Sequence, residues 1–79
     1  MNDKTTDFSP EDEKHMRQVM MYIYETLLGK GYNPINQIVG YILSGDPTFI
    51  TAHNNARSMI QKLDRDFLLQ SMVKNYLAK

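Results

Sequence analysis

The 79-residue sequence contains no cysteine. Disulfides, thiolate metal sites and a cysteine nucleophile are thereby excluded. The two histidines, His15 and His53, are too few and too far apart in the sequence to predict a metal cage. Net charge is missing as well, since nine Lys and Arg balance nine Asp and Glu. A neutral chain has no electrostatic footprint for nucleic acid or for an anionic membrane, which argues against both as partners. Long apolar runs are absent too: the longest, residues 38–43, falls far short of the ~20 residues of a membrane helix. The first residues show no apolar signal-peptide core. The expectation is a cytoplasmic protein.

What remains is the composition of one soluble domain, 42% hydrophobic and 23% charged, so one modest core is all it can build. Short chains bury a small fraction of their surface, and small domains lean on disulfides, a metal or a partner subunit. Disulfides and thiolate metal sites are excluded here, so the sequence predicts a homo-oligomer.

The chain divides into a disordered N-terminal tail, residues 1–8, and a single helical domain, residues 9–79. The tail has no apolar periodicity, and residues 1–15 hold five acids against Lys4 and Lys14. A first helix opens at Ser9-Pro10, a cap followed by a residue suited to the first helical position. Met16, Val19, Met20, Ile23, Tyr24 and Leu27 then repeat at helical spacing, until Gly29 and Gly31 end the run. Asn33-Pro34 opens a second helix, with Ile35, Ile38, Val39, Ile42 and Leu43 as its inner stripe. Gly40 sits in its middle, where glycine costs ~1 kcal/mol against alanine and signals a close approach. Gly45 is the expected C-terminal cap.

Asp46-Pro47 starts only one turn. Thr51 is expected to cap a third full helix with Ala52, Ala56, Met59, Ile60 and Leu63 inward, and Asp64 or Asp66 a fourth. On that last helix Phe67, Leu68, Met72, Val73, Tyr76 and Leu77 form a broad apolar face. No segment alternates with period two. The fold class is therefore all-α: a compact bundle of four main helices plus one short helical turn.

No catalytic set is present at local spacing. His53 has neither a nucleophile nor an orienting acid nearby in sequence, and Gly29-Lys30-Gly31 lacks the length and the Lys-Ser/Thr ending of a phosphate loop. Nothing predicts an enzyme, a cofactor, a metal or a small-molecule substrate. The polar groups Asn33, Asn36, Gln37 and Asn54, Asn55, Arg57 read as a buried hydrogen-bond network that fixes helix geometry, with Arg57 able to bridge to Asp46 or to a carboxylate of another subunit. Tyrosines such as Tyr24 and Tyr76 fall on apolar helical faces, and six methionines favour an adaptable interface. An alternative reading is a helix-turn-helix-like nucleic-acid-binding regulator. Helices 34–44 and 52–62 would form the motif, with Arg57 and Lys62 offered to a groove. The tail offers another: Thr5 and Thr6 are accessible hydroxyls in an acidic segment, and a phosphate would add ~−1.5 to −2 charges there.

Residues 30–47, KGYNPINQIVGYILSGDP, resemble the IreB family of small regulatory phosphoproteins of Gram-positive bacteria. Asn54-Asn55-Ala56-Arg57, Ile60, Lys62, Arg65-Asp66, Val73 and Tyr76-Leu77 agree with it. The resemblance implies a small, all-helical, cytoplasmic homodimer without catalytic activity, acting through an unnamed downstream protein. It implies a substrate of a membrane-anchored serine/threonine kinase with extracellular PASTA domains, opposed by a phosphatase, in cell-wall stress signalling. It also implies phosphorylation on a tail threonine. Thr5, three residues before Phe8, fits the family spacing, and Thr6 is its neighbour.

Overall fold

A computed structural model describes residues 9–78. Four α-helices follow one another: α1 (Pro10–Gly29), α2 (Pro34–Ser44), α3 (Ala56–Gln61) and α4 (Arg65–Leu77). Two 3-10 turns, Pro47–Phe49 and His53–Asn55, lie between α2 and α3. Among the described residues there is no strand, and no helix is long and apolar enough to cross a membrane.

The helix starts are set by side chains that accept from otherwise orphaned amides. Ser9 Oγ accepts from the Asp12 N–H at 3.1 Å, and Asn33 Oδ1 accepts from that of Asn36 at 3.1 Å. Asp64 Oδ1 accepts from Asp66 and Phe67 at 2.9 and 3.2 Å. Such caps contribute ~1 kcal/mol each. The end of α1 is equally well made. With Gly31 at φ +87°, the Gly31 N–H reaches the Leu28 carbonyl and the Tyr32 N–H the Leu27 carbonyl, both at 3.0 Å. This paired closure needs a left-handed residue, which glycine adopts without a Cβ clash.

The core belongs to α1, α2, α3 and the loop before α3. Val19, Ile23 and Leu27 of α1 meet Ile38 and Tyr41 of α2, Ile50 of the loop, and Ala56 and Ile60 of α3. Ile23, Leu27, Ile50 and Ile60 are fully enclosed, each a gain of ~1.5–3 kcal/mol over exposure. Gly40 is where α2 meets the Pro47–Phe49 turn, and a Cβ there would collide with the Phe49 ring.

Two expectations are corrected by this packing, and the broad apolar face of α4 is left largely uncovered. The face of α2 turned inward is Pro34, Ile38 and Tyr41, whereas Ile35, Val39 and Leu43 of the expected inner stripe are exposed. The third helix does not run from Thr51. Thr51 Oγ1 does accept from the His53 N–H at 3.2 Å, but Asn54 and Asn55 take left-handed φ of 53° and 63°. The α-helix therefore begins only at Ala56, and Ala52 is exposed. On α4, only Leu68 and Ser71 are buried, while Met72, Val73, Tyr76 and Leu77 face outward.

Candidate functional site

The main open feature is an apolar groove between α1, the start of α2 and α4. Met16, Met20, Met21 and Tyr24 of α1, Ile35 and Ile38 of α2, and Leu68, Met72 and Tyr76 of α4 form its walls, around about 760 Å³. Glu13, Arg17, Ser71 and Asn75 stand among them as its polar lining. Four methionines here supply unbranched, polarisable surface that can repack around a partner. Tyr76 of the groove wall is 89% exposed, and outside the groove Leu43 is 81% and Leu77 70% exposed. A patch of this kind on a small domain marks an interaction site rather than scattered surface hydrophobicity.

One ion pair is present among the described residues, and it lies at this groove. Lys74 Nζ of α4 is 2.9 Å from Glu13 Oε2 in the first turn of α1, with the two side chains 68% and 25% exposed. A pair so open to water contributes ~0.2–1 kcal/mol. Sequence reasoning missed this pair, since 61 residues separate the two.

The polar residues singled out in the sequence are placed as follows. Asn33 caps α2, and the Asn36 backbone amide is the donor it accepts from. Gln37 Nε2 donates to the Phe49 carbonyl at 2.8 Å, tying α2 to the turn beyond it. Arg57 Nε donates to the Ile50 carbonyl at 2.9 Å. The Asn54 carbonyl accepts from the Tyr22 hydroxyl at 2.9 Å, which fixes the left-handed loop against α1. Asn33, Asn36, Asn54 and Asn55 are exposed, and Gln37 and Arg57 are half-buried. These residues therefore sit at the periphery rather than in a buried network, and they act loop by loop. Arg57 makes no ion pair with Asp46. The Asp46 carboxylate instead accepts from the Thr48 hydroxyl at 2.7 Å and from the Thr48 N–H at 3.0 Å. The two Thr48 bonds, hydroxyl first, hold its pKa below the ordinary carboxylate range; desolvation opposes them and the Arg57 charge adds to them.

His53 is exposed beside Tyr22, Glu25 and Lys30 in a shallow cleft, and no cluster of three metal-ligating side chains occurs among the described residues. The helix expected over 52–62 for reading a nucleic-acid groove is reduced to the six residues of α3, and its Arg57 is already committed to Ile50. Thr5 and Thr6 lie outside the described residues.

The fold and its surface thus define a class: an all-α domain with an open apolar groove. Within that class the chain belongs to the IreB family, since the family model described as IreB regulatory phosphoprotein matches residues 3–78. The family is one of regulatory phosphoproteins, a role that rests on contacts with other proteins.

Proposed function

We propose that this chain is a cytoplasmic, non-enzymatic regulatory phosphoprotein whose tail carries the phosphate, on Thr5 with Thr6 as the neighbouring acceptor. The kinase is a membrane-anchored serine/threonine kinase of the PASTA type, a cognate phosphatase reverses it, and the pathway is cell-wall stress signalling. The observation that carries this reading is the state of the other hydroxyls. Ser9, Thr51 and Ser71 accept hydrogen bonds. Thr26, Ser44, Thr48 and Ser58 donate to oxygens of the fold. Every serine and threonine among the described residues is thus engaged in a helix, cap or turn. A kinase needs an extended, accessible hydroxyl, and Thr5 and Thr6 are the ones left over.

The active unit is a homodimer. The groove has an apolar edge beside it in its own chain: from Ile35 of the groove wall, Val39 and Leu43 follow about one turn apart along α2, exposed, the spacing that helix-in-groove docking uses. A chain of 79 residues has too little core to leave both surfaces in water without cost.

Intact mass spectrometry after incubation with kinase tests the first part. The expected result is a phosphate gain that Thr5→Ala reduces and the double Thr5→Ala, Thr6→Ala variant abolishes. A gain unaffected by the double variant removes the tail from the account. Sedimentation at micromolar concentration tests the second, and a species of only about 9.2 kDa overturns the dimer.

A further inference from the structure

We infer that Met21 and Met72 form a paired oxidation site, and that their conversion to sulfoxides by a peroxide loosens the dimer. The inference rests on the reading of the groove as the face that joins two copies.

All the sulfur in this chain is thioether, since it has six methionines and no cysteine. A two-electron oxidant such as hydrogen peroxide therefore meets no thiolate that would react first. Met1 lies outside the described residues. The fold sorts the other five by access. Met16 is 3% exposed, and Met59 is half-buried against the main core. Met20 is half-buried in the groove wall. Met21 and Met72 are the open ones, at 51% and 38%. Both line the groove, and they come from different helices, α1 and α4. The two methionines with the widest access to solvent thus stand on the surface whose apolar character carries docking.

The chemistry is complete with the peroxide alone. A sulfur lone pair attacks one peroxide oxygen, and the S–O bond forms as the O–O bond breaks. The other oxygen leaves as water after proton transfer. Sulfur gives up two electrons and the peroxide takes the same two. The product is polar and chiral where the thioether was apolar and adaptable. In the free chain water solvates the new oxygen, so the core is not disturbed. In the dimer the oxygen faces the ridge of Ile35, Val39 and Leu43, which is aliphatic and has no side-chain donor. Docking then strips the sulfoxide of water without returning a hydrogen bond, the costly case for a buried polar group. Each sulfoxide should weaken the dimer about tenfold.

The full chain, treated dilute with hydrogen peroxide and quenched, is mapped by peptide mass spectrometry and then concentrated for sedimentation. Met21 and Met72 should gain oxygen before Met59 and Met16, and the oxidised dimer should dissociate at a concentration at least about tenfold higher. The double variant Met21→Leu, Met72→Leu keeps the apolar volume and removes the sulfur. It should dimerise as the untreated wild type does and keep that affinity after peroxide, whereas Met59→Leu should respond as the wild type does. Equal oxidation of Met16 or Met59 overturns the site. An unchanged dissociation constant with both sulfoxides in place overturns the switch, as does equal loosening of the double variant. A chain that sediments as a monomer before any peroxide is added overturns the dimer reading and the switch with it, while the order of oxidation still decides the site.

Discussion

The two ends of the domain spend similar apolar content in opposite ways. From Val19 to Ile60 the chain buries its large side chains against one another, with Ile23, Leu27, Ile50 and Ile60 wholly enclosed. From Arg65 to Leu77, α4 carries Leu68, Leu69, Met72, Val73, Tyr76 and Leu77, yet encloses only Leu68 among them. None of its residues joins the main core cluster. The difference teaches that apolar periodicity measures how much surface a helix offers, whereas burial depends on what lies opposite. For the first half the opposite surface is in the same chain. For α4 it is an open groove.

The sharpest break in this comparison comes from the core. Ile60→Ala removes a fully enclosed side chain at the α1–α3 contact, and urea denaturation should show a loss of ~2–5 kcal/mol in global stability. The same kind of truncation on α4, Leu68→Ala, should act locally. Hydrogen exchange should show α4 amides losing protection while those around Ile23 keep theirs, as for a unit that opens before the rest. Equal loss of protection in α1 and α4 would mean the two regions unfold as one. A smaller effect is expected further out. Tyr76→Ser, at a side chain 89% exposed, should change the unfolding free energy of the dilute chain by less than ~0.5 kcal/mol. At high concentration it should weaken self-association measured by sedimentation. The smallest effect is a pH-dependent one. The Thr48 bonds depress the folded-state pKa of Asp46. Its ionised form thus stabilises the fold above the unfolded value of ~3.9, and that contribution disappears as pH falls through the folded value. The gap in thermal midpoint between wild type and Asp46→Asn should be constant near neutrality and close in strong acid.

Much of the architecture was legible because caps are local chemistry. Ser9, Asn33 and Asp46 could be placed from their own identity and the one to three residues after them, Asp64 stood as one of two candidates with Asp66, and each of the four accepts an amide as a cap does. The third helix was misplaced for an equally local reason. Asn tolerates left-handed backbone, and two such residues in succession, Asn54 and Asn55, delay the α-helix to Ala56. The inner face of α2 was not legible, because that helix is apolar almost all round. Both Pro34, Ile38, Tyr41 and Ile35, Val39, Leu43 have helical spacing, and only the position of α1 and Ile50 selects the first set. In the candidate site, the methionines hinted at an adaptable surface, but the groove itself needed α1 and α4 side by side. The pairing of Glu13 with Lys74 was out of reach for the same reason: sequence separation hides it completely.

Arg65 gives this arrangement a mechanical meaning. Its guanidinium lies against Gly45, whose φ of +74° favours glycine and where an added Cβ would displace it, and donates to the Ile42 carbonyl at 3.3 Å. The start of α4 is thus pinned to the end of α2, while its far half carries one exposed ion pair to α1, between Lys74 and Glu13. Such a helix is a door, with its hinge at Arg65 and its latch at Lys74. A latch made of one water-exposed ion pair can open without unfolding the core, so the far half of α4 can shift at the groove while its start stays in place.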